Sequence, residues 1–249
     1  MPAITGPKFL TGSEIRDAGT TQDVVGVLGS RAETADGRLF RAMEVGPDSA
    51  LVRGNLLQGP ANVADHQNRV IGDAAAVNDM FLTLDSGNTA ALVNAYADGY
   101  AVIVDAAGEG IAYHVGGHAA WSGNATSVRI NLTEPVEVAL TADTSEVSLH
   151  SIWRNVIQSP TAATNTTVGV ADLAYAVNEF FWGQVWGVTS VLQEASGAAS
   201  VVGGGLVPSD TAAGAVDITA QGVTAHQEIG RALFVSADTE HQAIWLSVG

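Results

Sequence analysis

The chain has 249 residues, 47% of them apolar and only 14% charged, and it carries no cysteine. A chain of that length buries a sufficient core without a metal or disulfide staple, and the missing thiols exclude disulfides, thiolate zinc sites, iron–sulfur clusters and cysteine nucleophiles together. Ten Lys+Arg against 26 Asp+Glu leave a formal net charge of −16, which excludes the phosphate neutralisation on which nucleic-acid binding depends and the basic patches that hold a protein to an anionic membrane.

In chain order, residues 1–70 read as an N-terminal arm followed by short strands. Two early prolines and the lack of an apolar h-region argue against a signal peptide. Ile4, Phe9, Leu10 and Ile15 are apolar, yet Pro2, Gly6, Pro7, Gly12 and Gly19 interrupt any regular element around them. Such a segment frays unless something ties it down. An extended arm docked on a neighbouring subunit is one outcome, and folding back onto its own domain is the other. Short strands are expected at residues 24–28, 39–45 and 51–57.

Residues 71–160 read as a central β domain. Apolar alternation marks strands at residues 127–132 and 135–140, and the apolar run at residues 100–104 reads as another strand. Turn residues punctuate them at Asp85-Ser86-Gly87-Asn88, Asp98-Gly99, Ala107-Gly108-Glu109-Gly110 and Gly116-Gly117. The best helix candidate spans residues 89–97, with Thr89 as its N-cap and Gly99 beyond its end. The uncharged segment 160–167 reads as a linker.

Residues 168–249 form a C-terminal β-barrel-like domain of five or six strands. A hairpin is expected to turn at Asn178-Glu179, and residues 243–248 alternate again. Tyr175, Phe180, Phe181, Trp182 and Trp186 lie close together in sequence, and Trp245 stands near the end. Alternation sends Phe181 and Trp182 to opposite faces of their strand, which leaves two outcomes: one fills the core while the other serves a contact surface, or both fill the core. No repeat of fixed period stands out. The fold class that follows is mainly β, with antiparallel sandwich or barrel domains, little helix and an extended N-terminal arm.

The search for chemistry assigns no catalytic, cofactor-binding or metal-ligating residue. His114 and His118 would share a side on a strand, but no third ligand lies near them in sequence, which leaves turn or interface histidines. There is no G-x-S-x-G elbow. Gly203-Gly204-Gly205 lacks the lysine and helix of a phosphate loop, and Gly108-Glu109-Gly110 lacks the third glycine of a dinucleotide site. The chain therefore reads as a non-enzyme that needs no cofactor.

The C-terminal block carries FFWGQVWGVTSVL, GGGLVPS, AGAVDI and QEIGRALFVSADTEHQAIWLSV. It resembles the closing domain of tailed-bacteriophage virion proteins of the head-decoration, or capsid cement, type. In that family an aromatic YxWxQxxG strand precedes a Gly-rich turn, an lvpS segment and an iGrAl strand. Phe181, Gln184 and Gly187 occupy the matching places, whereas Gly183 departs from the usual bulky residue. The middle block, with YADGYAVIVDAAGEGIAYHVGGHAA and NLTEPVEVAL, is similar to phage virion proteins as well. The resemblance implies a structural protein on the capsid exterior that binds the major capsid protein of the same virus, bridges shell subunits and forms a homo-oligomer, with a trimer favoured. Ile4, Phe9, Leu10, Ile15, Phe181 and Trp182 are the candidate shell or intersubunit contacts. The rival expectation is a tail or receptor-facing adhesin that binds host glycans.

Overall fold

The computed structural model describes residues 8–125, 127–194, 200–218, 227–235 and 239–248. They fall into two compact units: residues 61–154 form one, and residues 1–60 combine with 155–249 in the other. The protein is mainly β. Its only helical turns among the described residues are the 3-10 segments Glu14–Arg16, Gln22–Val24 and Ala64–His66.

The split unit begins with β1 (Lys8–Leu10), β2 (Arg31–Thr34), β3 (Leu39–Glu44) and β4 (Leu56–Gln58). The chain then builds β5 (Arg69–Asp73), β6 (Phe81–Leu84), β7 (Tyr100–Asp105), β8 (Ala112–His118), β9 (Val128–Leu132) and β10 (Glu146–His150). These six close into an antiparallel barrel in the order β10-β5-β6-β9-β8-β7. Alternation fills its interior: in β9, Val128, Ile130 and Leu132 are buried while Arg129 and Asn131 face out. They pack with Ile71, Leu82, Leu84, Tyr113 and Leu149 in one core.

The chain then returns to the split unit with β11 (Ile157–Gln158), β12 (Thr167–Val170), β13 (Phe180–Leu192), β14 (Gly205–Pro208), β15 (Val216–Ile218), β16 (Gly230–Ala232) and β17 (His241–Ser247). An open sheet runs β1-β2-β3-β13-β17-β16-β14-β15, with β12 pairing β13 and β4, and β4 pairing β11. The long strand β13 joins the two ends of the chain, because it pairs with β3 on one side and β17 on the other. Leu56, Val170, Val191, Leu206, Ile244 and Leu246 form the apolar cluster beneath it.

Among the described residues one turn recurs six times without any sequence period. A buried residue makes an isolated bridge, and three positions later the backbone enters the left-handed region. The bridging residues are Leu51, Ala75, Ala91, Trp121, Leu140 and Tyr175. The left-handed residues are Gly54, Asn78, Asn94, Asn124, Asp143 and Asn178, with φ between 57° and 75°. Asn and Asp tolerate this region better than other chiral residues because their side chains bond locally to the backbone. The turns face each other in pairs, Leu51 with Tyr175, Ala75 with Leu140 and Ala91 with Trp121, and each pair exchanges two backbone hydrogen bonds of 2.8–3.2 Å. The first pair lies in the sheet unit and the other two in the barrel unit.

Several sequence expectations change. Residues 24–28 form no strand, because the N–H groups of Val25 and Gly26 donate to Gln22 O and close a local turn. Residues 89–97 form no helix: Ala91 exchanges bonds with Trp121, and left-handed Asn94 breaks the helical path. Residues 135–140 alternate but build no strand; Val136 and Leu140 are buried as partners of the Ala75–Asp79 turn. The turn at Asn178-Glu179 is present, but Tyr175 before it bridges Leu51 instead of the strand that follows. Segment 160–167 lies within the sheet unit, where Gln58 Nε2 donates to Thr164 Oγ1 (2.6 Å) and Asn165 Nδ2 to Pro60 O (2.5 Å). The closed barrel belongs to residues 61–154, whereas the C-terminal strands extend an open sheet begun by residues 8–44.

Candidate interaction surface

Strand β13 changes character along its length. From Phe180 to Val185 every residue is buried. Phe181 is 0% and Trp182 1% exposed, so both faces are covered and neither side chain offers the contact surface that alternation suggested. Phe181 stacks on Tyr175 at 4.2 Å, and the Lys8 ammonium lies 5.6 Å from the Trp182 ring.

The pairing of β13 with β3 shifts register between Gln184 and Trp186. Buried Gln184 holds this bulge, its Nε2 donating to Trp186 O (3.1 Å) and Val188 O (2.9 Å). Gly187 follows at φ 94°, where a side chain would be strained, and a Cβ there would stand 3.0 Å from Arg38 Cγ. At Gly183 a Cβ would come within 2.5 Å of Met43 Sδ. Gln184 and Gly187 thus shape backbone, and Gly183 makes room for Met43.

Beyond the bulge one face of the strand opens. Trp186 is 36%, Val188 47% and Trp245 of β17 42% exposed. Val188 stands opposite Trp245 in the ladder, and the two indoles meet edge to face at 5.9 Å. Beside this apolar face lies a cleft of 540 Å³, lined among others by Arg16, Arg38, Arg53, Asp172, Val188 and His241. Arg38 Nε donates to Asp36 Oδ2 at 2.8 Å, and His241 Nε2 donates to Arg53 O at 3.2 Å. Tyr175 donates its hydroxyl to Asp172 Oδ1 at 2.5 Å. Burial pushes the Asp172 carboxyl up from the usual carboxylate range, and burial beside Asp172 pushes the Tyr175 phenol up as well.

The barrel unit holds the other cluster of titratable groups. His66 Nε2 donates to Thr89 O (2.9 Å), leaving Nδ1 to accept from the Tyr96 hydroxyl (2.5 Å). His118 Nδ1 donates to Ala119 O (2.8 Å), and its Nε2 accepts the Tyr96 N–H (3.1 Å). The acceptor role of Nε2 fits the neutral His118 imidazole with its proton on Nδ1. Burial holds the His118 pKa below its ordinary 6.5, helped by the nearby His66 and Arg154. His118 does not share a side with His114, because a register shift between Val115 and Gly117 turns it inward. No group of three or more metal-ligating side chains occurs among the described residues.

Of the N-terminal contact candidates, Leu10 (5% exposed) and Ile15 (2%) are buried in their own unit, and β1 pairs with β2. Phe9 is 74% exposed. Ile4 lies outside the described residues. Sequence reasoning missed the Trp186–Val188–Trp245 face because it depends on a bulge and on the β13–β17 register. The apolar i, i+2 spacing of Trp186 and Val188 was the available signal. Nothing in the sequence brings Arg16, Arg38 and Arg53 together, since three separate elements carry them. No protein-family profile, curated protein or solved structure matches the chain.

Proposed function

We propose that the protein is a structural virion protein that decorates the exterior of a tailed-bacteriophage capsid, where it bridges subunits of the major capsid protein as a homo-oligomer, with a trimer favoured. The resemblance of the C-terminal block supplies the role. The observation that carries it here is the exposed Trp186–Val188–Trp245 face on the two strands at the middle of an open sheet. Tryptophan is enriched at interface centres because it removes a large area from water at little cost in side-chain entropy. Two half-exposed indoles in contact on a rigid strand pair are arranged for such burial. A chain with net charge −16 suits the outside of a DNA-filled shell, where it does not compete for the packaged phosphates.

Bridging works by adding contacts across shell joints that open under internal pressure. It needs no reaction and no cofactor. Quantitative mass spectrometry of virions tests the reading. Hundreds of copies per particle support decoration; a handful indicate a receptor-facing adhesin, and absence from the particle rules out a virion role. In the same experiment, Trp186→Ala with Trp245→Ala lowers occupancy without changing the monomer's melting temperature.

A further inference from the structure

The cleft beside the tryptophan face gathers three of the chain's ten basic side chains, Arg16, Arg38 and Arg53. Most other arginines are engaged: Arg31 with Glu33, Arg154 with Asp98 and Arg231 with Glu228. Arg69 donates to the carbonyls of Asp85 and Ser86, Arg41 to that of Gly29, and Arg129 lies 3.7 Å from the Phe81 ring. The guanidinium groups of Arg16 and Arg53 form no hydrogen bond or ion pair among the described residues. In a strongly acidic chain, carboxylates are available almost everywhere, so a local surplus of cations at one cleft marks a position suited to an anion from outside. Asp172 is the one carboxylate among the described lining residues; it accepts the Tyr175 hydroxyl, and Arg16 and Arg38 act on it electrostatically, so three guanidinium groups face a single anion there.

The cleft is also continuous with the apolar face, because Val188 belongs to both. Its cations come from three elements: the Glu14–Arg16 turn, the turn between β2 and β3, and the Leu51–Gly54 turn. A ligand that meets all of this carries several carboxylates and an apolar side chain on one chain. We infer that the cleft is a docking groove for an acidic, extended segment of a partner protein, whose carboxylates pair with Arg16, Arg53 and Arg38 while an adjoining apolar residue packs on Val188 and the Trp186–Trp245 pair. This rests on the reading of the tryptophan face as a docking surface and names the chemistry of its partner.

The test uses the full-length protein and a labelled glutamate-rich peptide with a central Leu-Leu pair. Binding is followed by fluorescence anisotropy and by intrinsic tryptophan emission, with the lysine counterpart of the peptide and inorganic phosphate as separate arms. The glutamate peptide binds, binding weakens as salt rises, and Arg16→Gln with Arg53→Gln weakens it about tenfold. Both arginines are exposed, so an unchanged melting temperature shows that the double variant is folded. Equal affinity for the lysine peptide, no response to the double substitution, or no binding of the glutamate peptide overturns the proposal. Displacement by phosphate at equal concentration also overturns it, in favour of a simple oxyanion pocket. No virion enters this assay. A protein abundant on virions that ignores the peptide defeats the groove alone, and one that binds the peptide but is absent from virions defeats the capsid role alone.

Discussion

The barrel unit and the sheet unit solve the same problem differently. The barrel closes six strands on themselves, so its ladder has no free edge and its apolar residues face one interior. The sheet unit stays open and covers both faces of β13 only as far as Val185; past the bulge at Gln184 it leaves two tryptophans and a valine in water. Closure suits stability alone, whereas an open sheet keeps a rigid face available for a partner. The contrast also runs inside one strand: Trp182 and Trp186 are four residues apart, one buried and one half-exposed.

Substituting those two tryptophans is the most direct way to break the comparison. Trp182→Ala removes a fully buried ring and should cost about 3–5 kcal/mol in urea unfolding. Trp186→Ala should stay within about 1 kcal/mol. Equal losses would mean that the outer face is a structural surface and not a docking one. Next in size come the paired turns, which both units share. Asn178→Ala forces a non-glycine, non-amide residue to hold φ 61° and should cost about 1–2 kcal/mol, whereas Asn178→Gly should be close to neutral. If Ala and Gly behave alike, the left-handed position is not what selects asparagine there.

The smallest effect concerns acid. His118 in the barrel unit has a folded pKa below its ordinary 6.5, chiefly through burial, and burial lowers His150 too. Below pH 6.5 the unfolded chain binds more protons at these sites than the folded one. Their contribution is therefore fully present above that pH and falls away as pH drops toward the lowered folded values. Protonating His118 would also place a proton where its Nε2 accepts the Tyr96 N–H. Asp172 in the sheet unit runs the other way: its raised carboxyl pKa is a neutral-pH penalty that acid relieves. Melting temperature should fall with acidification below 6.5, and His118→Gln should flatten the slope. An unchanged slope in that variant would assign the acid response elsewhere.

Much of the strand content was legible because half-buried antiparallel strands print their burial directly as period-two alternation. The strands Val128–Leu132 and His241–Ser247 lie where alternation placed them, and Leu39–Glu44 and Tyr100–Asp105 lie where short apolar segments read as strands. The same signal misled at residues 135–140, where Val136 and Leu140 are buried against the Ala75–Asp79 turn without forming a ladder. It also misled at Phe181 and Trp182, since alternation sorts side chains between faces but does not tell whether the second face is covered. Gln184 and its neighbouring glycines in the segment 180–187 were legible as a motif, yet their work at the bulge was visible only from the hydrogen bonds of Gln184.

Composition and local chemistry, read alone, determined that the chain is acidic, thiol-free and built from short strands separated by Asn, Asp and Gly turns. Each of those properties is set by a residue and its immediate neighbours. Tertiary structure decided which strands close and which stay open, that residues 8–44 share a sheet with β13 and β17, and that Arg16, Arg38 and Arg53 converge on one cleft. Those outcomes depend on pairings between strands distant in sequence: Val147 with Arg69 closes the barrel, and Arg41 with Gly183 joins the two ends of the open sheet. A local pattern carries no information about its distant partner, because period-two alternation is satisfied equally well by any neighbour that covers the same face.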